Sequence, residues 1–231
     1  SNDVYSYTAQ GEMASRGIDP TSVGPVALGR GDFLRAADPT WKTAPAPYGP
    51  VWIATSSAVV QVAGHDPTTS VWVFRLVIVA GVVMAAFGVA SIARSSGVDR
   101  PYALAVGIAN PLVILYLIGG YHNDALMMGF LCLGVAAAMK DKRILAVVLL
   151  TLATAEKLLA IAALLVVGWV WAGKDAPFRK RILSVAAVMI PAMVALAVLS
   201  VATGIGAGWI TALRSTGKVM DTFSLMTMLG Y

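Results

Sequence analysis

The chain has 231 residues, 58% of them apolar and only 13% charged, with a formal net charge of +5 and a mean hydropathy of +0.77. A soluble domain carries roughly 25% Asp, Glu, Lys and Arg, and half that density cannot cover a globule of this size, so most of the chain must face lipid. That excludes a soluble enzyme, a disordered tail and a coiled coil, while the single cysteine, Cys132, excludes a disulfide framework.

The chain opens at Ser1 in polar sequence without a signal peptide and closes at Tyr231 without a natural end, as a piece of a longer membrane protein would. Residues 1–68 read as a first external loop. Asp19-Pro20, Gly24-Pro25, Asp38-Pro39 and the run Pro45-Ala46-Pro47-Tyr48-Gly49-Pro50 break it into short juxtamembrane helices. One helix is expected from Val4 to Arg16, stopped by Gly17. A second, from Val51 to Ala63, is too short for ~30 Å of hydrocarbon and should lie on the membrane or dip into it.

Residues 69–203 form the transmembrane region of an all-α polytopic bundle. Crossings are expected at about 71–93, 102–120 (broken by Asn110-Pro111), 125–139 and 182–203. The apolar stretch 144–172 is interrupted by Glu156-Lys157. Residues 204–231 begin a later external loop, amphipathic around Trp209 and Arg214.

Positive charge sets the orientation. The loops 94–100, 140–143 and 173–181 hold nine Lys and Arg; 121–124 and 204–231 hold two. The basic loops are therefore cytoplasmic and the polar ones external, and the net charge signals topology rather than nucleic-acid binding. Both flanks of 144–172 are basic, so this stretch should enter and return as a hairpin bent at Glu156-Lys157.

With that topology Asp3, the Pro-Tyr-Gly-Pro turn, Arg75, His122-Asn123-Asp124, Glu156-Lys157 and the Arg214/Lys218 tail gather on the external side. Ionisable groups at membrane depth are costly and point to function. Each also has a plainer reading. Asp3 either caps the helix beginning near Val4 or acts as a general base. His122-Asn123-Asp124 either caps the next helix or binds sugar hydroxyls or a phosphate. Arg75 either snorkels to the headgroups or holds a phosphate, and Lys157 is either neutralised by Glu156 or faces a phosphate. Arg214 and Lys218 read as a headgroup-facing side. There is no Walker loop, CxxC or Asp-x-Asp, so no metal site is assigned, and a divalent cation is left open.

Several of these strings together resemble a family. Asp3-Val4-Tyr5-Ser6-Tyr7, Ala9-Gln10-Gly11-Glu12, Asp38-Pro39-Thr40-Trp41 and Ala44 to Pro50 resemble the first external loop of GT-C glycosyltransferases. Gly119-Gly120-Tyr121-His122-Asn123-Asp124 looks like the second external motif, and Gly208-Trp209-Ile210 with Ser215-Thr216-Gly217-Lys218 like a later one. The set is most similar to polyprenol-phosphate-mannose-dependent α-1,6-mannosyltransferases of actinobacterial cell envelopes.

The resemblance implies a multi-pass cell-membrane enzyme acting on the external, periplasmic side. Its partners would be a polyprenyl-phosphate mannose donor, a mannan or lipomannan acceptor and membrane lipid. Asp3 falls on the family's catalytic acid, with Arg75 and Lys157 the candidates for the donor phosphate. Glu12, His122, Asn123 and Asp124 are the candidates for sugar and acceptor. An arabinofuranosyltransferase using polyprenyl-phosphate arabinose is the rival within the class. A transporter or flippase is the rival outside it, but should show repeated halves and polar residues reaching both faces.

Overall fold

The computed structural model describes residues 3–216, with side chains through Leu213. Every regular element among them is helical. α1 (Asp3–Ser15) ends at Gly17. Two 3-10 turns, Pro25–Leu28 and Pro39–Trp41, flank the short α2 (Asp32–Ala36). The second turn is started by Asp38, whose carboxylate accepts from the Thr40 N–H at 2.9 Å. α3 (Pro50–Val62) runs alongside α1 in the same direction: Tyr7 meets Trp52 edge-on at 5.1 Å, and one turn later Gly11 touches the Ser56 carbonyl. Trp52, Ile53, Val59 and Val60 of α3 are thereby buried in protein.

α4 (Pro67–Ser95) begins on a strong signal, with Asp66 accepting from the Thr69 N–H at 2.6 Å and Pro67 in the first turn. α5 (Arg100–Gly107) starts the same way on Asp99. Asn110 then ends one segment and opens the next: its amide donates to the Val106 carbonyl at 2.7 Å, and its oxygen accepts from the Val113 N–H at 3.0 Å. A π-helical segment, Val113–Gly119, follows, and the chain bends by 118° into α6 (Asp124–Met139).

α6 lies parallel to α4 at very close range. A β-carbon on Gly81 would sit 2.6 Å from the Ala125 carbonyl, and one on Gly88 would sit 2.5 Å from the Cys132 backbone. Only glycine lets the two backbones approach so closely.

α7 (Arg143–Glu156) stops at Lys157, whose φ of −145° and ψ of 122° are extended. A 3-10 turn, Leu158–Ala160, leads into α8 (Ile161–Trp171). The Arg143 guanidinium lies 5.3 Å from the Trp171 ring, so α8 runs back along α7 to the level where α7 began. α9 (Phe178–Ala202) reverses again, with Gly168 against Val185, and α10 (Gly208–Thr216) is tied to its end by Trp209 Nε1 donating to Ser200 Oγ at 3.2 Å. The Arg214 side chain and Lys218 lie outside the described residues.

These directions give the molecule two unlike poles. The starts of α1 and α6 and the end of α7 meet beside Phe74 and Ile78 of α4 at one. The ends of α4, α6 and α8 and the starts of α7 and α9, with Arg94, Lys140, Lys142, Arg143 and Arg179 to Arg181, occupy the other. α4 and α9 are long and apolar enough to cross a membrane, and the bent pair Val113–Gly119 with α6 makes a third span if counted as one. Val4, Tyr7, Trp52, Phe74, Ile78 and Ala125 form the buried core directly beneath the first pole.

Candidate active site

Asp3 sits at the first residue of α1, and partners from distant segments bracket its carboxylate. Oδ1 accepts from Trp41 Nε1 at 3.3 Å, and Oδ2 lies 3.7 Å from His122 Nδ1. The imidazole is fixed from two other sides. It stacks on Tyr116 of the π-helical segment, with centroids 4.0 Å apart and planes 12° apart. Its far edge lies over Gly120, where a β-carbon would come within 2.8 Å of Cδ2. A larger residue at 120 would push the ring away from Asp3. Burial holds the imidazole below its ordinary value against the opposing pull of Asp3 and Asp124, which favours the neutral ring.

Lys157 Nζ donates to Asp124 Oδ1 at 2.7 Å, both side chains being about one-third exposed at 33% and 27%. Of the two readings of Lys157, the pair with Glu156 is not formed. Adjacent residues leave a helix in diverging directions, and Glu156 points inward instead: it is fully buried, and neither oxygen has a hydrogen-bond partner. The backbone carbonyl of Glu156 accepts from the Gly49 N–H at 3.0 Å, clamping the Pro-Tyr-Gly-Pro turn onto the end of α7.

Arg75 lies near the start of α4, between aromatic rings. Its guanidinium is held between Trp72 and Tyr121, at 4.9 and 4.7 Å, and its Nε is buried without a hydrogen-bond partner. Among the described residues no carboxylate pairs with it. A cation–π cradle keeps the charge in place while leaving its donors for an anion.

Asn123 occupies the N-cap position of α6 but makes no capping bond; it is 1% exposed, with an unpartnered Nδ2. The plain capping reading therefore does not describe its side chain. Glu12 is separated from the other candidates. Three turns along α1, it is 2% exposed and bound by Arg16 Nε at 2.7 Å and His65 Nδ1 at 2.6 Å. It locks the end of α1 to the turn between α3 and α4.

The sequence reading gave no role to Trp41, Tyr116, Tyr7 or the Tyr48 hydroxyl. Trp41 ends the Asp-Pro-Thr-Trp string and Tyr48 sits in the Pro-Tyr-Gly-Pro turn; these were the available signals. Nothing in the apolar run 113–119 marked Tyr116. Tyr7 and Tyr48 are hydrogen-bonded to each other, and burial above all pushes both phenols well up, so they stay protonated and serve as O–H groups.

Residues 1–173 match the protein family described as alpha-(1->6)-mannopyranosyltransferase, N-terminal domain. The chain is 34% identical to alpha-(1->6)-mannopyranosyltransferase A of Mycobacterium tuberculosis, over 98% of its own length and 45% of that protein's. It is 29% identical to alpha-(1->6)-mannopyranosyltransferase A of Corynebacterium glutamicum, over 99% of this chain and 50% of the relative. It is 30% identical to alpha-(1->6)-mannopyranosyltransferase B of the same organism, over 99% and 41%. The chain thus spans about half the length of the curated relatives it matches. No solved structure matches it.

Proposed function

The chain belongs to the alpha-(1->6)-mannopyranosyltransferase family, and from that premise we propose that it carries the catalytic face of a multi-pass GT-C membrane enzyme. The enzyme moves mannose from a polyprenyl phosphate to a growing α-1,6-mannan, the core of lipomannan, on the external face of the membrane. The observation that carries this reading is the convergence of one carboxylate, Asp3, with His122, the Lys157–Asp124 pair and the cradled Arg75 at the non-basic pole. The basic pole then faces the cytoplasm.

The chemistry needs those parts. Asp3 takes the proton of an acceptor hydroxyl as that oxygen bonds to the anomeric carbon. The bond from that carbon to the phosphate oxygen breaks with its electron pair on the departing polyprenyl phosphate. A glycosidase needs a second carboxyl group to protonate an alkoxide leaving group. Phosphate leaves as a stable anion, so what it requires is fixed positive charge, here Lys157 and Arg75. His122, Asn123 and Asp124 border this space and meet sugar hydroxyls; Glu12, bound by Arg16 and His65, has a structural task instead.

Membranes containing the full-length protein are supplied separately with radiolabelled polyprenyl-phosphate mannose and polyprenyl-phosphate arabinose. Label from the mannose donor should enter α-1,6-mannan. Incorporation from the arabinose donor alone, or none above membranes lacking the protein, overturns the reading.

A further inference from the structure

We propose that the face of α1 carrying Asp3, Ser6 and Gln10 is a recognition slot for one hydroxyl group of the acceptor saccharide, next to the hydroxyl that Asp3 deprotonates. This rests on the mannosyl-transfer reading above and adds where the acceptor is read.

Positions 3, 6 and 10 recur at helical spacing and so share one face of α1. Between that face and the rings of Trp41 and Tyr48 lies a small cavity of about 10 Å³. That is room for one water-sized group, and a sugar hydroxyl is that size. Its walls hold two polar atoms whose chemistry is unspent. Ser6 is 2% and Gln10 4% exposed, and neither Ser6 Oγ nor Gln10 Oε1 has a hydrogen-bond partner. Buried polar atoms without partners are destabilising, and apolar side chains of similar shape would relieve that cost. A hydroxyl entering the cavity satisfies both, donating to the Gln10 oxygen and accepting from the Ser6 hydroxyl.

The position also separates acceptor from donor. Trp41 lines the cavity and donates to Asp3 Oδ1, while His122 approaches Oδ2 from the side that leads to Asp124 and Lys157. Asp3 therefore stands between the slot and the phosphate cations, where a base bridging acceptor and donor has to stand. The Trp41 and Tyr48 rings supply apolar surface for the C–H face of a sugar beside the slot.

The test uses the full-length protein, an alkyl-linked α-1,6-dimannoside as acceptor, and the monodeoxy analogues of that dimannoside. Gln10→Leu and Ser6→Ala should each raise the acceptor KM by about 10- to 100-fold, with the donor KM unchanged. One monodeoxy analogue should suffer a similar loss on the wild-type protein and no further loss on Gln10→Leu. Without ligand, Gln10→Leu should unfold at the same temperature as wild type or higher, because it removes an unsatisfied group. A structural role would lower that temperature. Independently of any donor, the dimannoside should raise the unfolding temperature of the purified wild-type protein but not of Gln10→Leu.

An unchanged acceptor KM in Gln10→Leu overturns the slot. So does a lowered unliganded unfolding temperature with all deoxy analogues used equally, because the cavity then holds only a structural water. A wild-type protein whose unfolding the dimannoside does not shift also overturns it. If the dimannoside binds but polyprenyl-phosphate mannose is not consumed, the donor reading fails and the slot stands.

Discussion

Lys157 offers two substitutions with opposite expected effects on one ligand. Its ammonium is held by Asp124 at 2.7 Å, so a donor phosphate must compete with that carboxylate for the same charge. Both side chains keep about a third of their exposure, 33% and 27%. The pair therefore lies between a surface ion pair, worth about 0.2–1 kcal/mol, and a buried one, whose disruption costs about 3–5 kcal/mol. The donor must then displace about 1–2 kcal/mol. Asp124→Asn removes the competitor and should tighten donor binding by about 5- to 30-fold, even if transfer to the acceptor suffers. Lys157→Met removes the charge itself and should weaken donor binding by about 10- to 150-fold, the worth of a charge-assisted contact of about 1.5–3 kcal/mol. Asp124 remains partly solvated in that variant, so folded yield should change little. The assay is equilibrium binding of a labelled polyprenyl-phosphate sugar to the purified full-length protein, without acceptor. If Asp124→Asn weakens donor binding, Asp124 is a ligand rather than a competitor. If neither variant moves it, Lys157 does not touch the phosphate.

Other outcomes follow from the same geometry. Asp3→Asn keeps size and much of the capping ability, so a base predicts turnover lower by roughly 10²–10⁴-fold with donor binding kept; near-normal transfer in membranes at matched expression would remove Asp3 from the mechanism. Glu12→Gln should leave acceptor and donor KM unchanged while lowering thermal stability by about 1–3 kcal/mol, because charge-assisted bonds to Arg16 and His65 are lost; a raised acceptor KM at wild-type stability would return Glu12 to the site. His122 is held below its ordinary value of 6.5, so the unfolded chain binds the extra proton first as pH falls. Its contribution to stability is therefore complete above about pH 6.5 and declines as pH drops toward the lowered folded value. His122→Asn should flatten that part of the unfolding-temperature profile, and an unchanged slope between pH 7 and 5 would rule the imidazole out as its source.

Local signals in the sequence determined much of the helical framework. Asp66-Pro67 states where α4 begins, because the carboxylate satisfies a free N–H and proline has none to lose. Asn110-Pro111 marks the break before the π-helical segment, and Glu156-Lys157 interrupts an apolar run where the backbone leaves helical geometry. Each signal acts within a turn of itself. Composition likewise required an apolar bundle, and the positions of Lys and Arg put nine of the seventeen in the three loops 94–100, 140–143 and 173–181.

What each charged group would face was decided only by the tertiary structure. Lys157 has an acidic neighbour in sequence, but helix geometry sends Glu156 inward and brings up Asp124, 33 residues away. Asp3 and Glu12 lie on the same helix in the same resembling motif. One meets Trp41 and His122, while the other is captured by His65 in the turn after α3. The contact of Asp3 with His122 depends on α6 lying tightly parallel to α4 through Gly81 and Gly88, and on a π-helical segment carrying Tyr116 beneath the imidazole. Periodicity contains neither fact. Helix caps and apolar runs are short-range and readable residue by residue, whereas a site is a set of long-range contacts that exists only after backbone packing has chosen which helix ends meet.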